Sequence, residues 1–260
     1  MQNNIIKKIC ENQNIKHIVL KRLRLILKDN VSDFDYVLNN TTDLEFYAYY
    51  HNKYKTLPVY SYFEKNKHIN QKRMYDRKFN FIKSIIDIKN KKMLDIGTED
   101  CYYTKLFEQY GSKMSAINIQ MTLNYVGNKN CIQLYNGFAI PHNDNTFDVV
   151  LIQMVLHHVI DHYNDLLKDV YRVLKKGGVF IIEDHDFSNE YVNNLIDVYH
   201  LFYELIESKD FNTDYYANYK VRRFTKNELI QELKKIGFQP PRIIEQKDDR
   251  LNRFHLIAKK

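Results

Sequence analysis

The sequence is poor in the residues that stiffen a chain or cross-link it. Among 260 residues it has no tryptophan, 7 glycines, 4 prolines and 3 cysteines. Cys10, Cys101 and Cys131 show neither a CxxC pair nor the spacing of metal ligands. We therefore expect neither a zinc site nor a disulfide framework, and a reducing compartment fits this cysteine usage.

Apolar runs are short as well. None approaches the roughly 20 residues that are needed to cross a bilayer. Residues 1–12 are polar and basic, and they lack the apolar segment of a signal peptide. These absences predict a soluble, cytoplasmic protein with no membrane partner and no metal.

The chain is rich in positive charge and in tyrosine. Its hydrophobic fraction of 44% is that of a globular protein. The net charge of +7 and the pI near 9.0 favour polyanionic partners such as RNA or DNA. An AT-rich coding sequence would also enrich lysine and tyrosine, so the charge alone does not select a partner.

The N-terminal quarter differs from the rest. Residues 4–28 place isoleucine, valine and leucine at largely helical spacing, with a polar tract at 11–14 that could interrupt the helix. Residues 31–65 are tyrosine-rich and carry no clear period, and a second helix is predicted over 69–88. We predict a helical extension over residues 1–65 and a main domain over residues 66–260.

In the main domain, short apolar strands alternate with helices. The predicted strands are 92–96, 113–119, 131–135, 147–153, 178–184, 241–246 and 254–258. The predicted helices are 103–110, 163–174, 191–207 and 225–236, the last one opened by a capping box of Thr225 and Glu228. This order indicates a doubly wound α/β fold with a mostly parallel, seven-stranded, Rossmann-like sheet whose last strand is antiparallel.

The first strand ends in a turn that suits a cofactor. Asp95, Gly97 and Thr98 lie where such sheets bind ligands, beyond the carboxyl end of the strand. Glu99 and Asp100 follow, and they would repel a pyrophosphate. The acidic turn therefore favours S-adenosylmethionine (SAM), with its positive sulfonium and amine, over a nicotinamide dinucleotide.

Three later stretches carry a family resemblance. They are residues 135–150 (YNGFAIPHNDNTFDVV), residues 153–159 (QMVLHHV) and residues 171–178 (YRVLKKGG). In this order, after the turn at Asp95, they resemble the type 11 group of class I SAM-dependent methyltransferases over roughly residues 66–260. The sequence departs from that family in the single glycine of the turn and in Asn118, where an acidic residue is usual.

The resemblance implies S-adenosyl-L-methionine as the cofactor. It places the methionine end of SAM at the first turn, the ribose at the end of the second strand and the adenine at the loop after the third. The implied cofactor-binding residues are Asp95, Gly97, Thr98, Asn118, Asn136, Gly137, Phe138 and Gln153.

A second resemblance concerns the acceptor. The segment from Glu183 to Asp186 and the helix after it resemble the guanine-N7 methyltransferase domain of mRNA-capping enzymes from asfarviruses and yeast cytoplasmic linear plasmids. It implies a capped RNA 5′ end as partner, beside a guanylyltransferase or triphosphatase domain or subunit. The implied catalytic residues are His157, Asp184 and Tyr203. The implied substrate-binding residues are His158, His185, Tyr216, Lys220, Arg222 and Arg223.

In that interpretation Asp184 accepts from the guanine edge, an aromatic ring stacks on the base and the cations meet the triphosphate. Two alternatives stay open. A small-molecule methyltransferase of the type 11 kind, acting on a quinone, sterol or metabolite, predicts an enclosed apolar pocket. A non-catalytic methyltransferase-fold subunit is suggested by the glycine-poor turn and by Asn118.

Overall fold

Helices and strands follow one another much as the hydrophobic pattern predicts. The computed structural model of the chain describes residues 4–27, 31–56, 59–98, 101–120, 131–206, 211, 213–246 and 249–260. The strands are β1 (Lys92–Ile96), β2 (Lys113–Asn118), β3 (Ile132–Leu134), β4 (Phe147–Gln153), β5 (Leu174–His185), β6 (Arg242–Glu245) and β7 (Arg253–Lys259). The helices are α1 (Ile5–Glu11), α2 (Gln13–Leu27), α3 (Phe34–Asn40), α4 (Asp43–Lys55), α5 (Val59–Ile85), α6 (Cys101–Gln109), α7 (Tyr163–Val173), α8 (Glu190–Leu205), α9 (Thr213–Asn218) and α10 (Lys226–Ile236).

The chain divides into two compact units. The first comprises Met1–Asn66 and Asn189–Tyr219, and the second comprises Lys67–Ser188 and Lys220–Lys260. The extension predicted over residues 1–65 thus ends one residue before the first boundary. The segment Asn189–Tyr219, which the strand–helix alternation placed in the main domain, belongs to the first unit.

In the first unit, short polar side chains set where the helices begin. The expected interruption at residues 11–14 is present, because α1 ends before Asn12, whose side-chain oxygen caps the start of α2. Asp43, the first residue of α4, accepts the backbone N–H groups of Ile5 and Ile6 at 2.6 and 2.9 Å. A carboxylate thereby satisfies two donors at the open end of α1. The buried Phe46 and Tyr50 of α4 lie in the core of this unit.

In the second unit, seven strands form one sheet in the order β3-β2-β1-β4-β5-β7-β6. Strands β1 to β5 pair in parallel, and β7 pairs antiparallel with both β5 and β6. The predicted fold class is therefore confirmed, including the antiparallel last strand. The strand order reverses between β1 and β4, which is where ligands bind in sheets of this type.

Both faces of this sheet are covered, because its central strands are apolar on both sides. Along β5 the side chains of Phe180 and Ile182 pack on one face with residues of α7 and α10. The side chain of Ile181 packs on the other face with residues of α5 and α6. The two cores hold β1, β4 and β5 rigidly in the middle of the sheet.

Some boundaries differ from those the sequence predicts. The helix expected over residues 69–88 begins ten residues earlier, at Val59. Strand β5 begins at Leu174 instead of residue 178, because α7 ends at Val173 and the chain turns extended at once. Within the described ranges, no helix combines the length and the apolar character that crossing a membrane requires.

The expectation of no disulfide is wrong. Cys101 and Cys131 are joined by a disulfide across 30 residues of sequence, with their Cα atoms 5.9 Å apart. The pairing depends on the approach of the start of α6 to the start of β3, which cysteine spacing cannot indicate. Cys10 is a free, exposed cysteine.

Helix α10 provides a test of the predicted capping box. Thr225 Oγ1 accepts the N–H of Glu228 at 3.1 Å, and the Glu228 carboxylate accepts the N–H of Thr225 at 2.7 Å. We expect Thr225→Ala to lower the free energy of unfolding by about 1 kcal/mol, because the cap is lost. Urea denaturation measures this. Thr225→Ser should keep most of the stability, and an unchanged Thr225→Ala midpoint would contradict the role of the cap.

Candidate functional site

The carboxyl ends of β1 and β4 meet at the point where the strand order reverses. Asp95 pairs in register with Leu151, and only 4% of Asp95 is exposed. The backbone N–H of Gly97 donates to the carbonyl oxygen of Ile117 at 2.8 Å, which fixes the turn against β2. A buried carboxylate therefore lies at the ligand-binding edge, as expected for Asp95. Glu99 and Asp100 lie outside the described residues.

Gly97 is needed for its backbone geometry. Its φ is +83°, a backbone angle that is unfavourable for residues with a Cβ atom. A Cβ on Gly97 would lie 2.4 Å from Cγ2 of Val155, in the turn after β4. The turn after β1 and the turn after β4 therefore approach each other closely at Gly97, because glycine has no side chain there.

Asn118 holds the first turn from the end of β2. Its side-chain nitrogen donates to the carbonyl oxygen of Thr98 at 2.9 Å, and its side-chain oxygen accepts the N–H of Ile119 at 2.8 Å. Thr98 is buried, with 5% of it exposed. The predicted ribose contact would use the second lone pair of this oxygen. Asn118 therefore stabilises the turn that carries Gly97.

The loop after β3 is shaped by Asn136. Its side-chain oxygen accepts the N–H groups of Phe138 and Ala139 at 3.2 and 2.8 Å, which is an Asx turn. Gly137 has a φ of +94°, and the ring of Phe138 stacks on His162 with the centroids 4.2 Å apart. The loop predicted to contact adenine is preformed by its own side chains.

An ion pair that sequence reasoning missed lies on the α5 face of the sheet. Gln153 ends β4 beside Glu183 of β5, and Glu183 is 3% exposed. Its carboxylate lies 3.0 Å from Nζ of Lys78 and accepts from Gln246 at 3.0 Å. Burial raises the pKa of Glu183, but Lys78 and His255 outweigh this and hold the pKa below its usual value. The sequence did carry a signal for this ion pair, because Glu183 is a charged residue within the buried run of β5.

The most distinctive pair links the turn after β4 to the end of β5. His157 Nδ1 lies 2.7 Å from Oδ1 of Asp184, and the two side chains are 1% and 0% exposed. The same carboxylate accepts the backbone N–H groups of His157 and His185, at 3.3 and 2.7 Å. Burial raises the pKa of Asp184, but the neighbouring His157 and His185 outweigh this effect. The pKa of Asp184 therefore lies below its usual value. Asp184 is therefore ionised and orients His157.

This geometry corrects the role expected of Asp184. A carboxylate that already accepts hydrogen bonds from three donors of its own chain is occupied in holding His157 and the end of β5, and it does not serve as the acceptor for a guanine edge. His185 is also buried, and its Nδ1 lies 2.8 Å from the carbonyl oxygen of Leu251. Burial, and then the neighbouring His157, lower the pKa of His185, so it is neutral near pH 7. Of the histidines expected to contact substrate, His158 is the exposed one.

The three cationic residues predicted to bind the triphosphate differ in their contacts and in their exposure. The guanidinium of Arg222 lies 4.0 Å from the centroid of the Tyr163 ring, and its backbone N–H donates to the carbonyl oxygen of His157 at 2.8 Å. Lys220 and Arg223 are exposed. Arg222 therefore packs on Tyr163 and braces the segment of His157. Phosphate binding by these three residues stays a prediction.

Two predicted aromatic residues belong to the first unit. The hydroxyl of Tyr216 donates to Asp43 at 2.7 Å. Tyr203 stacks on Tyr199, with the ring centroids 6.0 Å apart, and the guanidinium of Arg22 lies 5.2 Å from the Tyr203 ring. Their expected stacking on a substrate stays a prediction as well.

Comparisons with known proteins agree with this geometry. Residues 94–182 match the family model described as a methyltransferase domain, from within β1 to within β5. The ubiquinone/menaquinone biosynthesis C-methyltransferase UbiE of Pasteurella multocida is 38% identical over 80 residues, which are 31% of this chain and 28% of that protein. The demethylmenaquinone methyltransferase of Staphylococcus epidermidis is 38% identical over 104 residues, 36% of this chain and 42% of that protein. The chain thus spans less than half the length of these relatives.

Solved structures share the fold. A SAM-dependent methyltransferase from Archaeoglobus fulgidus superposes with a TM-score of 0.52 at 16% identity, over 76% of this chain and 99% of that one. The 1,6-didemethyltoxoflavin-N1-methyltransferase of Burkholderia thailandensis, solved with bound 1,6-didemethyltoxoflavin and S-adenosylhomocysteine, gives a TM-score of 0.50 at 17% identity, over 78% of this chain and 87% of that one. The second unit therefore has the fold of class I SAM-dependent methyltransferases.

The turn at Gly97 provides the test of the cofactor site. Gly97→Ala places a methyl group 2.4 Å from Val155 at a positive φ, so we expect strain of a few kcal/mol in the turn. SAM affinity, measured by calorimetry, should fall at least about tenfold, because the cost falls on the cofactor edge. Gly97→Ala combined with Val155→Ala should recover part of the loss, since the clash is relieved and the φ strain is not. Wild-type affinity in the single variant would contradict the assignment.

Proposed function

We propose that the protein is a SAM-dependent methyltransferase that transfers the methyl group of SAM to a small molecule that loses a proton, such as a hydroxylated aromatic ring; the match of residues 94–182 to a methyltransferase domain supports this. The observation that carries the proposal is the buried pair of His157 and Asp184. The net reaction converts acceptor–H and SAM into methylated acceptor, S-adenosylhomocysteine and a proton.

The edge between β1 and β4 fits the cofactor in charge and shape. Asp95 presents a carboxylate to a ligand that is positive at its amine and sulfonium. Gly97 lets the ligand approach the main chain, and Asn118 with Asn136 supplies amide groups toward the ribose and adenine. When bound, SAM supplies a methyl group activated by the sulfonium, so the protein needs chiefly to align the acceptor and exclude water.

The pair of His157 and Asp184 gives the site a base. The Asp184 carboxylate holds Nδ1 of His157 as the protonated nitrogen, which leaves Nε2 as the basic one. The negative charge of Asp184 also favours the imidazolium that forms when Nε2 takes a proton. Because both side chains are nearly fully buried, proton transfer would take place away from bulk water. We assign to His157 the removal of the proton that a phenol-like acceptor loses.

The need for a base distinguishes the methylation of this acceptor class from that of the RNA cap. The N7 atom of guanine carries a free lone pair and no proton, so its methylation needs alignment alone. The relatives support the same acceptor class, since they are a ubiquinone/menaquinone biosynthesis C-methyltransferase and a demethylmenaquinone methyltransferase. The capped-RNA reading rests on sequence resemblance, and neither the buried Asp184 nor the packed Arg222 supports it.

An assay with radiolabelled SAM separates the candidate acceptors. We expect methyl transfer to a demethylmenaquinol-type or simpler hydroxylated aromatic acceptor and none to capped RNA. Transfer to the guanosine cap alone would overturn the small-molecule proposal. SAM binding without transfer to either class, across cell extract as well, would favour the non-catalytic alternative.

The role of the base is tested by Asp184→Asn. We expect kcat to fall at least about 100-fold, the range that general-base catalysis contributes, while SAM affinity stays within about twofold.

The chain offers a matched control in an exposed pair. His162 Nδ1 lies 3.1 Å from Asp165, and these side chains are 55% and 56% exposed. Asp165→Asn makes the same chemical change where solvent screens it, so we expect the activity to stay near that of the wild type. Equal losses in both variants would show that the effect is not specific to the buried pair.

A further inference from the structure

The disulfide between Cys101 and Cys131 joins two segments that border the proposed cofactor site. Cys101 is the first residue of α6, three residues beyond Thr98 of the first turn, and it is 1% exposed. Cys131 immediately precedes β3, which leads into the loop of Asn136. The N–H of Cys131 also donates to the sulfur of Cys101 at 3.2 Å. The bond therefore connects the turn side of the cofactor edge with the adenine side.

Among the described residues, β3 itself has few other contacts with the sheet. Strand β3 is the edge strand, it has three residues, and it pairs only with β2 among the described residues. Beyond it, the N–H of Tyr135 donates to the carbonyl oxygen of Asn118 at 3.1 Å. Short edge strands with one neighbour open more readily than central ones. The disulfide to α6 adds a covalent restraint at the start of β3, while the far end of the Asn136 loop is held separately, at Ile140, by Asp169 and Arg172.

We infer that the Cys101–Cys131 disulfide is a redox switch that tunes SAM affinity. In the oxidised form, the bond holds β3 and the Asn136 loop in the arrangement that receives the adenine. In the reduced form, the loop keeps its own Asx turn and β3 keeps its short pairing with β2, but the covalent link to α6 is lost, so binding SAM must also fix the position of β3 against α6. The inference rests on the proposed function, because it concerns the same cofactor site.

The chemical step is thiol–disulfide exchange with a dithiol reductant. One thiolate of the reductant attacks the sulfur of Cys131, which is partly exposed, and the bond to Cys101 breaks. The second thiol of the reductant then closes its own disulfide and releases Cys131. The two cysteines gain the two electrons and two protons that the dithiol loses, and a disulfide oxidant of the same class reverses the step.

Calorimetry with SAM on the oxidised and the dithiothreitol-reduced full-length protein tests the switch. We expect the Kd for SAM to rise at least about fivefold on reduction, at the lower end of typical coupling between sites. Linkage then requires SAM to disfavour reduction by the same factor, which thiol titration in glutathione buffers measures. Cys131→Ser should show the reduced affinity under both conditions. Cys10→Ser, which removes the free exposed cysteine, should behave as the wild type.

The outcomes separate the two proposals. Equal SAM affinity in the oxidised and reduced forms would overturn the switch and leave the proposed function intact. Absence of SAM binding in both forms would overturn the switch and the proposed function together. Circular dichroism of the reduced protein and of Cys131→Ser distinguishes loss of fold from loss of affinity, and a fivefold change with an unchanged spectrum supports the switch.

Discussion

The parallel pairing of β1 with β4 is the constraint on which the site depends. It places two turns that are 58 residues apart in sequence, at Gly97 and Val155, in direct contact. In open α/β sheets, ligands bind at the carboxyl edge where the strand order reverses, and Asp95 lies at that edge. Since β5 follows β4 in the sheet, the same edge also receives the polar end of β5. The strand order therefore brings Asp95 and the pair of His157 and Asp184 to the same edge of the sheet.

The order of strands and helices could be predicted from the sequence, because it depends on local apolar period and capping residues. The capping box at Thr225 lies where it was expected, and every predicted strand has a counterpart. The membership of Asn189–Tyr219 in the first unit could not be predicted, since it depends on tertiary packing. The start of α5 at Val59 could not be predicted either, because the first residues of this helix show no clear apolar period.

The same distinction between local pattern and long-range packing applies to the candidate site. Residues within a few positions of a strand end, such as Asp95 and Gly97, could be placed from the motif alone. Partnerships across long sequence distances could not, because they depend on register. The contact of His157 with Asp184 spans 27 residues and the link of Cys101 to Cys131 spans 30. The first reverses the expected role of Asp184 from a substrate contact to an orienting group, and no single-residue pattern indicates this.

The glycine-poor turn raised the question whether the cofactor site is degraded, and its contacts argue against this. Extra glycines in such a turn serve to shape the backbone for close approach of a ligand. Here Gly97 occupies the position with positive φ, and the amide of Asn118 fixes the carbonyl of Thr98 from the neighbouring strand. The two departures from the family pattern therefore support each other. The side chain that replaces the usual acid supplies the restraint on the turn, so these substitutions do not by themselves favour a non-catalytic subunit.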